Sequence, residues 1–288
     1  MSETKTKSVV VTGVSTGIGY GTTKVLISKG FRVFGSVRKQ TDADRLQIEF
    51  GDKFVPLLMD ITDSDTVQSA ADKVGSMLGQ ENLTGLVNNA GIVVSGPLLY
   101  LRISEYRRQL ETNMISTLVV IQAFAPLLGT DEKRQGPKGR IVNISSTGAK
   151  VAIPLIGGYS SSKAGLEGMS DALRQELMLF GIDVIIIEPG TVNTAMYDKG
   201  EKEDLSEYKP TEYWEAVQNF QKYIVNEART NGLPPERLGE AVYIALSKSR
   251  PNTRYAVVPQ RFKNWILPRL MPTRMLDRYL AKQMKLLR

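Results

Sequence analysis

Tyr159 and Lys163 lie four residues apart in the stretch Gly157-Gly158-Tyr159-Ser160-Ser161-Ser162-Lys163, and Ser146 precedes Tyr159 by thirteen residues. On a helix, positions i and i+4 share a face one turn apart. An ammonium held beside a phenol favours the phenolate, so a group that ordinarily titrates near pH ~10 comes into use closer to neutrality. Such a pair gives and takes a proton without imidazole, and the chain contains no histidine. A serine hydroxyl nearby can hydrogen-bond the oxygen that gains or loses the proton. Tyr-x-x-x-Lys by itself is equally an ordinary helix-surface pair, so the elements around it decide the reading.

Those elements begin with Val9-Val10-Val11, a short apolar strand that runs into Thr12-Gly13-Val14-Ser15-Thr16-Gly17-Ile18-Gly19. A helix-like segment, Tyr20 to Lys29, follows, and Gly30 closes it. Strand, glycine turn and helix together let backbone approach a pyrophosphate, which the helix N-terminus then attracts. The same residues also spell Gly13-x-Ser15-x-Gly17, a serine-hydrolase elbow, but that chemistry needs a histidine base. The second strand, Phe31 to Lys39, has no acid at its end to bond a ribose 2′-hydroxyl; Ser36 or Val37 stands there. Arg38 and Lys39 come next and suit a 2′-phosphate, so NADP is favoured over NAD.

Further strands are expected at Phe54 to Met59, Leu83 to Val87, Arg140 to Ser146, Asp183 to Ile187 and Tyr255 to Val258. Asp60-Ile61 after the third could flank an adenine. Ile103 to Leu128 reads as one long amphipathic helix capped by Ser104, with Asn113 inside it as either a satisfied buried amide or a functional kink. The Tyr159 helix is expected to reach Phe180, and another runs from Leu238 to Ser247. Ala195 to Gly232, charged and aromatic, is expected to form a helical cover over the site. The alternation implies an α/β fold: one doubly wound parallel sheet of Rossmann type, with helices on both faces, in a single domain spanning 1–288.

Composition narrows the chemistry. Without histidine or cysteine, the usual zinc ligands, the imidazole base and thiol chemistry are missing, and no metal site is expected. Catalysis falls to Tyr, Lys, Ser, Asp, Glu or a cofactor. Hydrophobic content of 42% and charged content of 23% are those of a soluble globular protein. There is no apolar run of about eighteen residues to span a membrane. Met1 to Lys7 lacks the apolar core of a signal peptide, so a cytoplasmic location is expected. The net charge of +7 gathers at the end: Arg261 to Arg288 holds eight basic residues and one acid, Asp277. That tail, with Phe262, Trp265, Leu267 and Leu270 among its cations, is read first as packing on its own domain or a neighbouring subunit. The second reading is peripheral contact with an anionic membrane. No recognised nucleic-acid module accompanies the charge.

With these pieces placed, the chain resembles the short-chain dehydrogenase/reductase family over essentially its whole length. The matching residues are Thr12-Gly13-x-x-x-Gly17-x-Gly19, Asp60, Asn88-Asn89-Ala90-Gly91, Asn113, Ser146, Tyr159-x-x-x-Lys163 and Pro189-Gly190, in the family's order and spacing. The resemblance implies that Tyr159 is the general acid/base, that Lys163 lowers its pKa and binds the nicotinamide ribose, and that Ser146 orients the substrate oxygen. Asn113 would hold a water relaying protons through Lys163. Cofactor contacts are expected from Gly13, Ser15, Thr16, Gly17, Ile18, Gly19, Arg38, Lys39, Asp60, Ile61, Asn89, Ala90, Gly91, Tyr159, Lys163, Pro189, Gly190, Val192 and Thr194. Substrate contacts are expected from Val93, Val94, Ser146, Gly148, Ile153, Ile156, Tyr159, Met196 and Tyr197, a mostly apolar set.

Pro251-x-Thr253-Arg254-Tyr255, Leu267-Pro268 and Leu270-Met271-Pro272-Thr273 are similar to the tail of retinol and hydroxysteroid dehydrogenases. The expected activity is NADP-dependent interconversion of a lipophilic alcohol and its ketone or aldehyde. Reduction of a polar acyl or sugar ketone is the runner-up, and a non-catalytic NADP-binding sensor or scaffold is the alternative class. Family dimers form through the helices matching Ile103–Leu128 and Tyr159–Phe180, which implies a homodimer or homotetramer.

Overall fold

Among the described residues, short runs of β-branched residues bounded by glycine and polar turns make seven strands: β1 (Ser8–Val11), β2 (Arg32–Val37), β3 (Phe54–Leu58), β4 (Gly85–Asn88), β5 (Arg140–Ile144), β6 (Asp183–Pro189) and β7 (Arg254–Val257). All pair in parallel, in the order β3-β2-β1-β4-β5-β6-β7. The computed structural model describes residues 6–194 and 200–287.

Successive strand residues point to opposite faces, and here both faces are covered. Val9, Val11, Val87, Val142, Ile185 and Ile187 join one core under helices α1 (Gly17–Ser28), α2 (Gln40–Phe50) and α8 (Pro235–Ser247). Val10, Leu86, Ile141 and Val184 join the other, under α3 (Ser64–Leu78), α5 (Ser116–Ala125) and α6 (Gly157–Glu176), with α4 (Ile103–Leu110) packed on α6. The strand order reverses between β1 and β4, and at such a switch the carboxyl ends of the strands splay to leave a ligand crevice. Gly13, Asn89 and Ser145 all follow strand ends at that edge.

Helix α7 (Trp214–Asn231) supplies the helix of the expected cover, and α9 (Leu267–Leu270) and α10 (Thr273–Gln283) lie in the tail. A third small core joins Leu155, Leu205, Tyr208, Val217 and Phe220 to Met284 of the tail.

The long helix departs from expectation in two ways. It starts at Ile103 with Arg102 as its boundary and no side-chain cap, so Ser104 is not the cap. It is also not uniformly α-helical: Glu111–Ile115 is a π-turn, and a second follows at Pro126–Thr130. By length and composition residues 103–130 could cross a membrane, but 50% of the apolar window is buried inside the protein. It is a core helix.

Candidate active site

The glycine turn is held by a set of short-range bonds. Gly13 and Gly17 adopt φ of +69° and +61°, which favour glycine. Thr12 Oγ1 accepts the N–H groups of Asn89 (2.9 Å) and Ala90 (3.0 Å), and Asn89 Nδ2 donates back to the carbonyls of Thr12 (2.8 Å) and Gly13 (3.1 Å). Gly13 N–H donates to Ser36 Oγ at 2.9 Å, so Ser36 braces the loop. A Cβ at Gly19 would come 2.2 Å from the Gly13 carbonyl oxygen and 2.5 Å from Asn89 Nδ2. The start of α1 has neither a side-chain cap nor an acid in its first turn. That leaves its amides and its positive end for an anion. Thr194 reaches across to this point, 3.2 Å from where a Gly17 side chain would begin.

At the outer end of the crevice, exposed Arg38 and Lys39 follow β2. Arg38 faces Asp60, whose carboxylate also accepts from Thr62 N (3.0 Å) and Oγ1 (2.8 Å). Partial burial alone would raise the Asp60 pKa, but the Thr62 bonds and the Arg38 charge outweigh it and hold it below the usual range. Ile61, expected beside an adenine, is packed in the core with Met59 and Val67.

The inner end is built on α6. Gly158 lies 3.2 Å, at its would-be Cβ, from the Tyr106 ring, so α4 and α6 approach closely. Lys163 is buried, and its Nζ donates to the Ile144 carbonyl at 2.8 Å and lies 5.8 Å from the centroid of the Tyr159 ring. Its partner is main chain at the end of β5, not a carboxylate. A Cβ on Gly91 would stand 3.1 Å from Asn113 Oδ1 and 3.8 Å from Lys163 Nζ, so the end of β4 meets both. Ser146 hydrogen-bonds Tyr159 and also accepts the Gly148 N–H at 3.0 Å. Ser145 is spent on Glu167 (2.7 Å), which agrees with choosing Ser146.

Two expectations change here. The Tyr159 ring keeps some exposure, but its hydroxyl is enclosed, and this burial pushes the phenol up while the Ser146 bond draws it down. The sequence reading has Lys163 lower it. Instead burial dominates, because the ammonium sits over the ring side and is itself pulled down to about 8 by burial, against the pull of Glu167. Asn113 is a satisfied buried amide, and it also sits in the π-turn, a widened turn of a kind that often marks a functional site. Its amide donates to Ile92 O (2.9 Å) and Ser162 Oγ (3.0 Å), while Oδ1 accepts from Ile92 N (2.8 Å). Both amide hydrogens are thus committed, so any water held there must use the second lone pair of Oδ1 or the main chain.

Among the residues expected to meet substrate, Gly148 lies against Tyr159, 3.7 Å from would-be Cβ to ring carbon. Val93 is half-buried, whereas Val94 is buried and anchored through its N–H to Gln109 Oε1 at 3.1 Å. Ile153 and Ile156 pack on the small core of the cover. Met196 and Tyr197 lie outside the described residues. Pro189 ends β6, Gly190 N–H donates to Val257 O at 3.0 Å, and Val192 is buried. Sequence reasoning missed Ser36, Ser162 and Gln109, whose roles are hydrogen bonds across 15 to 49 residues of chain that no local pattern announces.

This arrangement can hold a dinucleotide along the strand ends and present a hydroxyl pair to an oxygen-bearing carbon. Residues 7–205 match the family model described as short chain dehydrogenase. The chain belongs to the short-chain dehydrogenase/reductase family. It is accordingly an oxidoreductase acting between alcohol and keto groups. It is 37% identical over 96% of both chains to the NADPH-dependent 3-dehydrocapnine reductase of Ornithobacterium rhinotracheale. It is 32% identical to dehydrogenase/reductase SDR family member 9 of Homo sapiens over 96% of this chain and 88% of that one. Among solved structures, a short chain dehydrogenase from Burkholderia cenocepacia J2315 in complex with NADP superposes with a TM-score of 0.67 at 25% identity, covering 93% of this chain and 98% of that one.

Proposed function

We propose that this short-chain dehydrogenase/reductase uses NADP(H) to reduce a lipophilic ketone, with Tyr159 as the proton donor. The observation that carries the reading is the enclosed Tyr159 hydroxyl bonded to Ser146 with Lys163 behind it, at the strand ends beside the glycine turn. When bound, the nicotinamide supplies the hydride. Everything else falls to the chain. The helix start at Gly17 and the Asn89-braced loop would hold the pyrophosphate, and Arg38 and Lys39 would receive the 2′-phosphate, with the Asp60 carboxylate near Arg38. Ser146 fixes the substrate oxygen against Tyr159, which donates as negative charge develops there. A positioned acid of this kind contributes about 10²–10⁴-fold. Burial keeps the phenol protonated at neutral pH, which suits reduction. Lys163 then restores the proton, with Asn113 fixing the Ile92 segment against α6 through Ser162.

The residues expected around the substrate, Val93, Val94, Ile153 and Ile156 among them, are apolar, which supports a lipophilic ketone, and the NADPH-dependent reductase named for the Ornithobacterium relative supports reduction with NADPH. A substrate panel spanning lipophilic, acyl and sugar ketones, run with NADPH and with NADH, tests this. Faster oxidation of NADPH with lipophilic ketones supports it; turnover confined to polar ketones, or none with any ketone, overturns it.

The tail supports contact with a membrane that carries such a substrate. Trp265 and Met284 are buried, Asn219 Nδ2 donates to Gln283 O at 2.8 Å and Lys285 pairs with Glu215 at 2.9 Å, so one side packs on α7. The other side exposes Phe262 (68%) and Leu270 (75%) among the basic residues. An apolar and cationic face of this kind fits an anionic bilayer surface. We place the protein in the cytoplasm as one domain, in peripheral contact with a membrane, and assembled as a homodimer or homotetramer through the long helix and α6.

A further inference from the structure

A cluster of charges lies behind α6, outside the proton-transfer set. Glu167, one turn beyond Lys163 on the same helix, is almost wholly buried, with 3% of its side chain exposed. Its Oε1 accepts from Ser145 Oγ at 2.7 Å, and its Oε2 takes Lys150 Nζ at 2.7 Å and Arg254 Nη1. Arg254, the first residue of β7, also reaches Glu188 Oε1 at 3.2 Å and Asp171 Oδ2, and Asp171 is paired with Arg174. Two of these residues stand next to the proposed machinery. Ser145 precedes Ser146, Glu188 precedes the Pro189-Gly190 turn, and Lys163 holds Ile144, the neighbour of Ser145. Thus Lys163 and Glu167 grip consecutive residues of one strand end from one face of one helix.

We propose that Glu167 is a positioning residue: it clamps the Ser146 strand end to α6 and, through Arg254, to the end of β6, and it supplies the negative field in which Lys163 carries its proton. Its kinetic consequences rest on the reductase reading above. The groups that face it are Ser145 just after β5, Lys150 from the segment after Ser146, Arg254 from β7 with Glu188 behind it, and Lys163, Asp171 and Arg174 from its own helix. Burying a carboxylate is costly unless it is paired and fully bonded, as this one is. A second role is consistent with burial pulling Lys163 down to about 8, since Glu167 is the charge that opposes that pull.

The test separates charge from bonding. Glu167→Gln keeps the shape and removes the charge; Ser145→Ala keeps the charge and removes one bond; Lys150→Met removes one of the two cations on Glu167 and leaves Arg254 to pair it. Lysine Cε-13C NMR on the full chain, with the Lys163 signal identified by its loss in Lys163→Arg, reads the titration directly. The expected result is a Lys163 midpoint lower than wild type in E167Q, higher in K150M and unchanged in S145A. In the same variants the alkaline limb of the kcat–pH profile follows the midpoint, and kcat at neutral pH falls about 10-fold in E167Q and S145A, as for a displaced catalytic group, while NADPH affinity holds. An unchanged midpoint in both E167Q and K150M, or the same shift in S145A as in E167Q, overturns the proposal. Should E167Q not fold, K150M and S145A still decide it. Because the NMR needs no substrate, a wild type that reduces no ketone defeats the reductase reading and leaves this result to stand alone.

Discussion

Lys163 carries its charge where burial opposes it, and that opposition has a measurable sign. A base whose folded pKa is depressed, here from 10.5 to about 8, weakens folding fully below pH 8. The penalty fades as pH rises from about 8 toward 10.5, because the unfolded chain binds the extra proton over that interval. Lys163→Met should therefore stabilise the fold at pH 7 by up to about 3 kcal/mol, less whatever the unpaired Ile144 carbonyl costs. Urea unfolding of both proteins at pH 7 and near pH 10 should show the gap closing; a constant gap would mean the ammonium is not held at a cost. At the other end of the crevice, Arg38→Asp should lower the preference for NADPH over NADH by roughly 10- to 100-fold, the worth of a charge-assisted contact. Ratios of kcat/KM for the two cofactors measure it, and unchanged selectivity removes Arg38 from the 2′-phosphate site.

At the scale of elements, the glycine turn is shaped by contact as much as by conformation. Gly19→Ala would drive a methyl into the Gly13 carbonyl and Asn89. NADPH affinity by fluorescence titration should fall at least about 10-fold and stability by about 1–3 kcal/mol; full affinity would show that the loop has room to spare. The strands and this turn were legible because β-branched runs and glycine spacing are local signals. Helices α2 and α3 were not read from the sequence. In α2 only Ala43 and Leu46 are buried, too few to set a periodic stripe. The site pair itself was legible, but the direction of the Tyr159 shift was not, since it depends on enclosure by segments far apart in the chain. The π-turn that carries Asn113 was hinted at only by an asparagine in a helix.

Across the whole molecule, the tail closes the third core and faces outward at once. Deleting it would uncover Phe220 and Val217, so surface substitutions are the cleaner probe of membrane contact. Phe262→Ser/Leu270→Ser should keep the unfolding temperature and cut co-sedimentation with anionic vesicles several-fold, with little binding to neutral vesicles in either protein. Equal sedimentation of variant and wild type would dismiss the contact. The central claim is the proton given by Tyr159, and Tyr159→Phe assayed against the best ketone of the panel tests it most directly. The variant should lose about 10²–10⁴-fold in kcat while NADPH still binds with wild-type affinity. Wild-type turnover in Tyr159→Phe would contradict it.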